Sequence, residues 1–105
     1  MTEIAGTVEI TNPTGLHARP AVKLTKLAKT FAGAAIEVAV AGTGPWIDAK
    51  SVVKVMALKA PCGTVLHLRA SGDVAAAALA ALADLVRRDF DEGPAHAAAG
   101  GDGAA

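Results

Sequence analysis

The sequence contains few aromatic residues, no excess charge and no long apolar run. Two phenylalanines, one tryptophan and no tyrosine provide too few rings to stack the bases of a nucleic acid. Ten acidic and ten basic side chains balance each other, so no net charge attracts nucleic acid or an anionic membrane. No apolar stretch approaches the roughly 18–20 residues that cross a bilayer. We therefore expect neither a nucleic-acid partner nor insertion into a membrane.

Cysteine is almost absent as well, with Cys62 as its single occurrence. One cysteine cannot form an intrachain disulfide, which is typical of the reducing cytoplasm, and we expect a cytoplasmic location. A length of 105 residues with 52% hydrophobic content suits one domain. Residues 93–105 have no large apolar side chain whose burial would offset the entropy of ordering. We predict a domain over residues 1–92 and a disordered tail over residues 93–105.

The most informative stretch surrounds His17. A turn-forming Pro-Thr-Gly run precedes it and a helical pattern follows, which places His17 at or next to a helix start. The first amides of a helix lack intrahelical partners and carry partial positive charge, so the backbone from Ala18 is predicted to cradle an anion. Arg19 adds a planar fork of donors. Because a helix start disfavours a cation, we expect a neutral, nucleophilic imidazole that accepts a phosphoryl group; the alternative is an ordinary surface or capping histidine.

We predict seven elements in the order β-α-β-β-α-β-α. Alternating strands and amphipathic helices in this order are typical of a two-layer α+β domain with one sheet face exposed. Gly33 is expected to end the first helix, and Phe90 to continue the apolar stripe of the last one. The predicted elements are strands over 3–10, 36–40, 46–48 and 64–70, and helices over 18–30, 51–58 and from about 71–73 to 89.

Residues 50–58 suit a strand when their β-branched content is taken alone. We interpret them as a short second helix, partly because Ser51 is of a favoured N-cap type and partly because of the family resemblance given below. Its apolar side chains surround most of the helix, so we expect Val52, Val53 and Met56 to be exposed and to dock a partner. The alternative, a helix sunk into the core, fits the periodicity equally well. A basic stripe of the first helix is predicted to border this surface, although it also fits an ordinary solvated face. The stripe consists of Arg19, Lys23 and Lys26.

Residues 15–21, Gly-Leu-His-Ala-Arg-Pro-Ala, closely resemble the active-site motif of HPr proteins, the histidine phosphocarriers of bacterial phosphotransferase systems. The resemblance implies an open-faced sandwich of four antiparallel strands and three helices. It also implies that His17 accepts a phosphoryl group from the phosphoenolpyruvate-dependent first enzyme and passes it to sugar-specific or regulatory acceptors. Arg19 would help to hold the phosphate.

A second resemblance covers Ala49-Lys50-Ser51 and the apolar residues that follow, which are similar to the regulatory serine site of many HPr proteins. It implies phosphorylation of Ser51 by a dedicated serine kinase/phosphorylase, although a plain helix cap explains the serine equally well. The chain departs from the family pattern after this helix. Where relatives often carry glycine, it has Lys59, followed by Pro61.

These observations favour a monomeric phosphocarrier that depends on partner enzymes. The sequence has no metal-ligand cluster, glycine-rich phosphate loop or acid pair for catalysis of its own, so we expect no metal and no cofactor. The alternative is a regulatory binding module that is switched by phosphorylation of Ser51. The sequence leaves open whether the carrier serves sugar uptake or a nitrogen-type regulatory relay.

Overall fold

Strands and helices alternate along residues 3–91, the part of the chain that the computed structural model describes. Their order confirms the predicted β-α-β-β-α-β-α sequence, with a short 3-10 turn added at the end. The predicted tail over 93–105 lies outside the described residues. The elements are β1 (Glu3–Glu9), α1 (Ala18–Lys29), β2 (Ala34–Ala39), β3 (Ile47–Asp48), α2 (Val52–Ala57), β4 (Val65–Gly72), α3 (Ala75–Arg87) and the turn Asp89–Asp91.

The four strands form one antiparallel sheet in the order β1-β4-β2-β3. The central strand β4 alternates strictly, because Leu66 and Leu68 are buried while His67 and Arg69 are half-exposed. The helices α1 and α3 pack against each other, and α3 lies across β1, β4 and β2. This confirms the open-faced two-layer sandwich. Within residues 3–91, none of the helices has the length and apolar character to cross a membrane.

The first helix ends earlier than Gly33. It stops at Lys29 because the Thr30 amide and hydroxyl both turn back to the Leu27 carbonyl, at 3.1 Å and 2.6 Å. The ammonium of Lys50 then holds the connection to β2 by donating to the carbonyls of Phe31 and Ala34, at 3.1 Å and 2.7 Å. Lys50 therefore has a structural role in the loop after α1.

The prediction that the last helix begins at residues 71–73 is wrong. Strand β4 continues through Gly72, because Ser71 pairs with Glu3 of β1 and with Ala35 of β2. Gly72 has a φ of +110°, and a Cβ there would lie 2.4 Å from the Gly33 carbonyl oxygen. Only glycine fits this close approach of two backbones. The helix α3 starts at Ala75.

The exposed face of the sheet carries a polar and aromatic cluster. The guanidinium of Arg69 lies 4.2 Å from the centre of the Trp46 ring. Its Nε also donates to Glu37 at 2.7 Å. The half-buried tryptophan thus covers a salt-bridged arginine on the side of the sheet opposite the helices.

The C-terminal turn reaches the core in an unexpected way. Phe90 is fully buried, as its place in the apolar stripe predicts, but α3 ends at Arg87. Asp89, Phe90 and Asp91 have φ values of 55°, 56° and 58°, so the chain reverses in the left-handed region and swings the ring inward. The Lys23 ammonium donates to the Phe90 carbonyl at 2.9 Å. The Arg88 guanidinium pairs with Asp84 and Asp91 and closes the turn.

Replacement of this buried ring tests whether the turn belongs to the cooperative fold. We expect Phe90→Ala to lower the free energy of unfolding by about 3–5 kcal/mol, because a large core side chain is removed and a cavity remains. Urea unfolding followed by circular dichroism measures the change. Phe31→Ala is the matched control. Because Phe31 is only half-buried, this substitution should lower the free energy of unfolding clearly less. A loss for Phe90→Ala no larger than that of the control would contradict the packing described above.

Candidate functional site

His17 lies at the junction between a tight loop and α1. It is the N-cap residue, with extended backbone angles of −89° and −168°. Its amide donates to the Gly15 carbonyl at 2.9 Å, and its carbonyl accepts from Ala21 at 2.9 Å. The side chain is exposed and makes no capping hydrogen bond to the helix. The backbone of His17 is therefore held on both sides while its imidazole is presented to solvent.

The start of α1 supplies donors beside this imidazole. The amides of Ala18 and Arg19 come before the first intrahelical bond, which the Ala21 amide donates to the His17 carbonyl. Pro20 follows without an N–H and is buried. No acidic side chain lies in the first turn to compete with a bound anion. These features suit a phosphoryl group on the imidazole.

A turn over residues 12–15 precedes His17. The Gly15 amide donates to the Asn12 carbonyl at 3.0 Å. The side-chain amide of Asn12 returns to the Gly15 carbonyl at 2.7 Å, and it also donates to the Thr14 hydroxyl at 3.2 Å. Asn12 was not among the predicted site residues. An asparagine at the start of a Pro-x-Gly turn was the available signal, since its side chain readily bonds the backbone of its own turn.

The segment after α2 forms the other wall of the site. The Leu16 amide donates to the Ala60 carbonyl at 2.8 Å. Gly15, with a φ of +69°, comes so near this wall that a Cβ would lie 2.6 Å from the Ala60 oxygen. Lys59 itself has a φ of 51°, so the chain leaves α2 through the left-handed conformation that glycine adopts most readily.

Two depressions flank the imidazole. The larger, about 470 Å³, is mostly apolar and is lined by Leu16, Met56, Lys59 and Pro61 together with His17. The smaller, about 280 Å³, joins His17 to Thr14, Ala18, Arg19 and Pro20. The structure thus brings His17, Ala18, Arg19 and Met56 together, although they come from two different helices.

The basic stripe continues along α1 from this point. Arg19, Lys23 and Lys26 line one shallow depression of about 300 Å³, so the three cations share a face as their spacing predicts. They differ in accessibility. Arg19 and Lys26 are exposed, whereas Lys23 is half-buried and donates to the C-terminal turn.

The helix α2 exposes only part of its predicted apolar surface. Val53 is 74% exposed and Met56 is 41% exposed. The prediction that Val52 is exposed with them is wrong, because Val52 packs against the core. Spacings of three place Val52, Val55 and Leu58 on the same helix face, which is turned inward. The open apolar face therefore consists of Val53 and Met56.

Ser51 is the N-cap of α2. Its hydroxyl accepts from the Lys54 amide at 3.4 Å, and its carbonyl accepts from Val55 at 3.0 Å. It lies at the end of α2 away from the His17 groove, about 8 Å along the helix axis from Met56. Among residues 3–91, no group of three or more His, Cys, Asp or Glu side chains is placed to hold a metal ion.

Comparison with known proteins agrees with this geometry. Residues 4–88 match the family model described as the PTS HPr component phosphorylation site. The chain is 40% identical to the Phosphocarrier protein HPr of Neisseria meningitidis, over 82% of this chain and 93% of that protein. It is 38% identical to the Phosphocarrier protein NPr of Escherichia coli K12, over the same shares of the two chains.

Solved structures similar to this chain are also HPr proteins. The crystal structure of HPr-C-His from Thermoanaerobacter tengcongensis superposes with a TM-score of 0.75 at 39% identity, covering 88% of this chain and 98% of that one. The solution structure of Crh, the Bacillus subtilis catabolite repression HPr, superposes with a TM-score of 0.57 at 32% identity, covering 79% and 95%. Motif, fold and relatives coincide, and the chain belongs to the HPr family of phosphocarrier proteins of the phosphotransferase system.

Proposed function

We propose that this protein carries a phosphoryl group on His17. It would take the group from a phosphoenolpyruvate-dependent first enzyme and pass it to downstream acceptor proteins of a phosphotransferase system. The observation that carries the proposal is the exposed imidazole at the N-cap of α1, next to the first backbone amides of that helix. The names of the relatives, HPr and NPr phosphocarriers, support the same role. The proposal covers the carrier step that these names share.

The chemistry follows from this placement. A ring nitrogen of His17 attacks the phosphorus in line, forming an N–P bond as the bond to the donor protein breaks. Charge on the three equatorial oxygens is met by the amides at the start of α1 and by the Arg19 guanidinium. In the second transfer an acceptor nucleophile attacks phosphorus and the imidazole leaves. The carrier thereby returns to its starting state.

The openness of the site suits a carrier. His17 and Arg19 are both exposed, so two different partners can reach the phosphoryl group in turn. An enclosed anion hole would bind the phosphohistidine too tightly for onward transfer. The docked partner would stabilise the side of the transferring phosphoryl group that faces away from α1. This division of labour makes the protein a substrate of its partners and not an enzyme by itself.

We assign partner binding to a docking surface that combines the apolar face of α2 with the basic face of α1. Val53 and Met56 form its exposed apolar part. The basic side chains of α1 and α2 favour an acidic partner, with charge steering the encounter and apolar burial holding it. The cations are Arg19, Lys26 and Lys54, with the half-buried Lys23 beside them.

Substitution of His17 tests the acceptor directly. With phosphoenolpyruvate and a first enzyme, the wild-type protein should gain one acid-labile, alkali-stable phosphoryl group, as a phosphohistidine does. His17→Ala should gain none, because the nucleophile is lost. His67→Ala is the control: this histidine lies on the opposite face of the sheet, and labelling should be unchanged. Equal labelling of His17→Ala and the wild-type protein would refute the assignment.

Arg19 is expected to contribute to the rate of transfer. Arg19→Ala should slow phosphorylation of His17 on the order of tenfold, less than the 10²–10³-fold cost of losing a donor in an enclosed site, because Arg19 is solvated. Lys26→Ala removes an equal charge from the same face, and it should alter only the salt-dependent encounter. Rapid-quench kinetics at saturating first enzyme separate the two effects. A saturated rate for Arg19→Ala equal to that of Lys26→Ala would remove Arg19 from the site.

We further propose that Ser51 can regulate docking. A phosphate at this N-cap would add about −1.5 to −2 charge where the helix tolerates an anion, yet beside a surface that attracts acidic partners. Aspartate is itself a good N-cap residue, so Ser51→Asp should retain the melting temperature. It should slow transfer to His17 most strongly at low salt, where repulsion is least screened.

The comparison for this prediction is Thr43→Asp, which places the same charge on an exposed loop outside the docking surface. Transfer rates and melting temperatures of both variants are measured across salt concentrations. An unchanged rate for Ser51→Asp at low salt rejects the electrostatic account. A collapsed melting temperature indicates that Ser51 serves the fold instead.

A further inference from the structure

The side chain of Asn12 is buried in the loop that carries His17. It is only 2% exposed, and its Nδ2 donates to the Gly15 carbonyl at 2.7 Å. The same carbonyl accepts the His17 amide at 2.9 Å. Asn12 and His17 therefore meet at one oxygen atom. Whatever fixes the direction of the Gly15 carbonyl also fixes the main chain of the reactive histidine.

The Gly15 carbonyl is held from both sides of the loop. Within the turn, Asn12 binds Gly15 twice, through its own carbonyl and through its side-chain amide. From outside, the backbone of Ala60 and Pro61 packs closely against Gly15, since a Cβ there would lie 2.6–2.8 Å from their atoms. The turn therefore has little room to change its path without losing the bond from Asn12.

The other polar atom of Asn12 has no such role. Its Oδ1 is buried and has no hydrogen-bond partner among the described residues. A buried acceptor without a partner is unfavourable, and a similar apolar side chain would avoid that cost. An amide that is costly for the core yet donates beside the reactive residue is characteristic of a functional position.

From this we infer that Asn12 is a positioning residue for phosphoryl transfer. By holding the Gly15 carbonyl it orients the His17 backbone, and with it the line along which the imidazole meets phosphorus and the amides of α1 meet the oxygens. The inference rests on the proposed function of His17. His17 is the N-cap residue, and two backbone hydrogen bonds hold its main chain, one from its amide to the Gly15 carbonyl and one from the Ala21 amide to its own carbonyl. A Gly15 carbonyl that Asn12 no longer fixes should weaken the first of these bonds and spread the approach geometries, and small misplacements slow transfer strongly.

The test replaces the amide by an apolar group of similar size. Asn12→Leu should lower the rate constant of transfer at saturating first enzyme about ten- to a hundredfold, while the KM for the carrier stays within about twofold because the docking surface is unchanged. Amide hydrogen exchange at His17 should accelerate relative to Ala21 at constant global stability. Asn12→Ser, which removes the same donor with a smaller side chain, provides a second variant if the leucine does not fit.

The control is Thr25→Val. Thr25 is also a buried polar residue, 4% exposed, and its hydroxyl also lacks a partner among the described residues, but it lies further along α1. Its transfer rate should equal that of the wild-type protein. A folded Asn12 variant with a rate within twofold of wild type, or with only a raised KM, overturns the role of Asn12 and leaves the carrier function standing. A wild-type protein that gains no phosphohistidine overturns both.

Discussion

The hydrogen bond from the Leu16 amide to the Ala60 carbonyl, 2.8 Å long, joins the two parts of the molecule on which the site depends. One part is the loop that leads into α1, and the other is the segment that leaves α2. Their contact places the His17 imidazole at the edge of an apolar groove whose far side belongs to α2. The proposed phosphoryl acceptor and the proposed docking surface are consequently neighbours in space although about 40 residues separate them in the chain.

Much of the fold could be predicted because its strongest signals are local. The alternation in β4 and the apolar stripe of α1 are complete within single elements, so periodicity alone identifies them. The predictions failed where contacts between residues far apart in the sequence determine the local structure. Ser71 stays in the strand because β1 and β2 offer partners on both sides, and Val52 turns inward because the phase of a short helix is set by its packing. The left-handed turn that buries Phe90 has no signature in its residue types.

The site shows the same division. His17, Ala18 and Arg19 are contiguous, so a motif and the physics of a helix start suffice to predict them as a site. Asn12 was not predicted because the role inferred for it rests on its burial and on a carbonyl three residues away, neither of which composition reveals. For Lys23 the spacing predicted the helix face correctly but not the contact. Its ammonium donates a hydrogen bond to the Phe90 carbonyl, which no helical pattern predicts.

The stacking of Trp46 on Arg69 has a practical consequence for spectroscopy. Trp46 is the single tryptophan of the chain, and it lies on the sheet face turned away from α1 and α2. Its fluorescence should therefore follow the opening of the sheet edge but respond little to a protein that docks beside His17. Binding experiments on this carrier need a chromophore on the partner or a label introduced on the helical side, whereas the intrinsic emission is suited to unfolding.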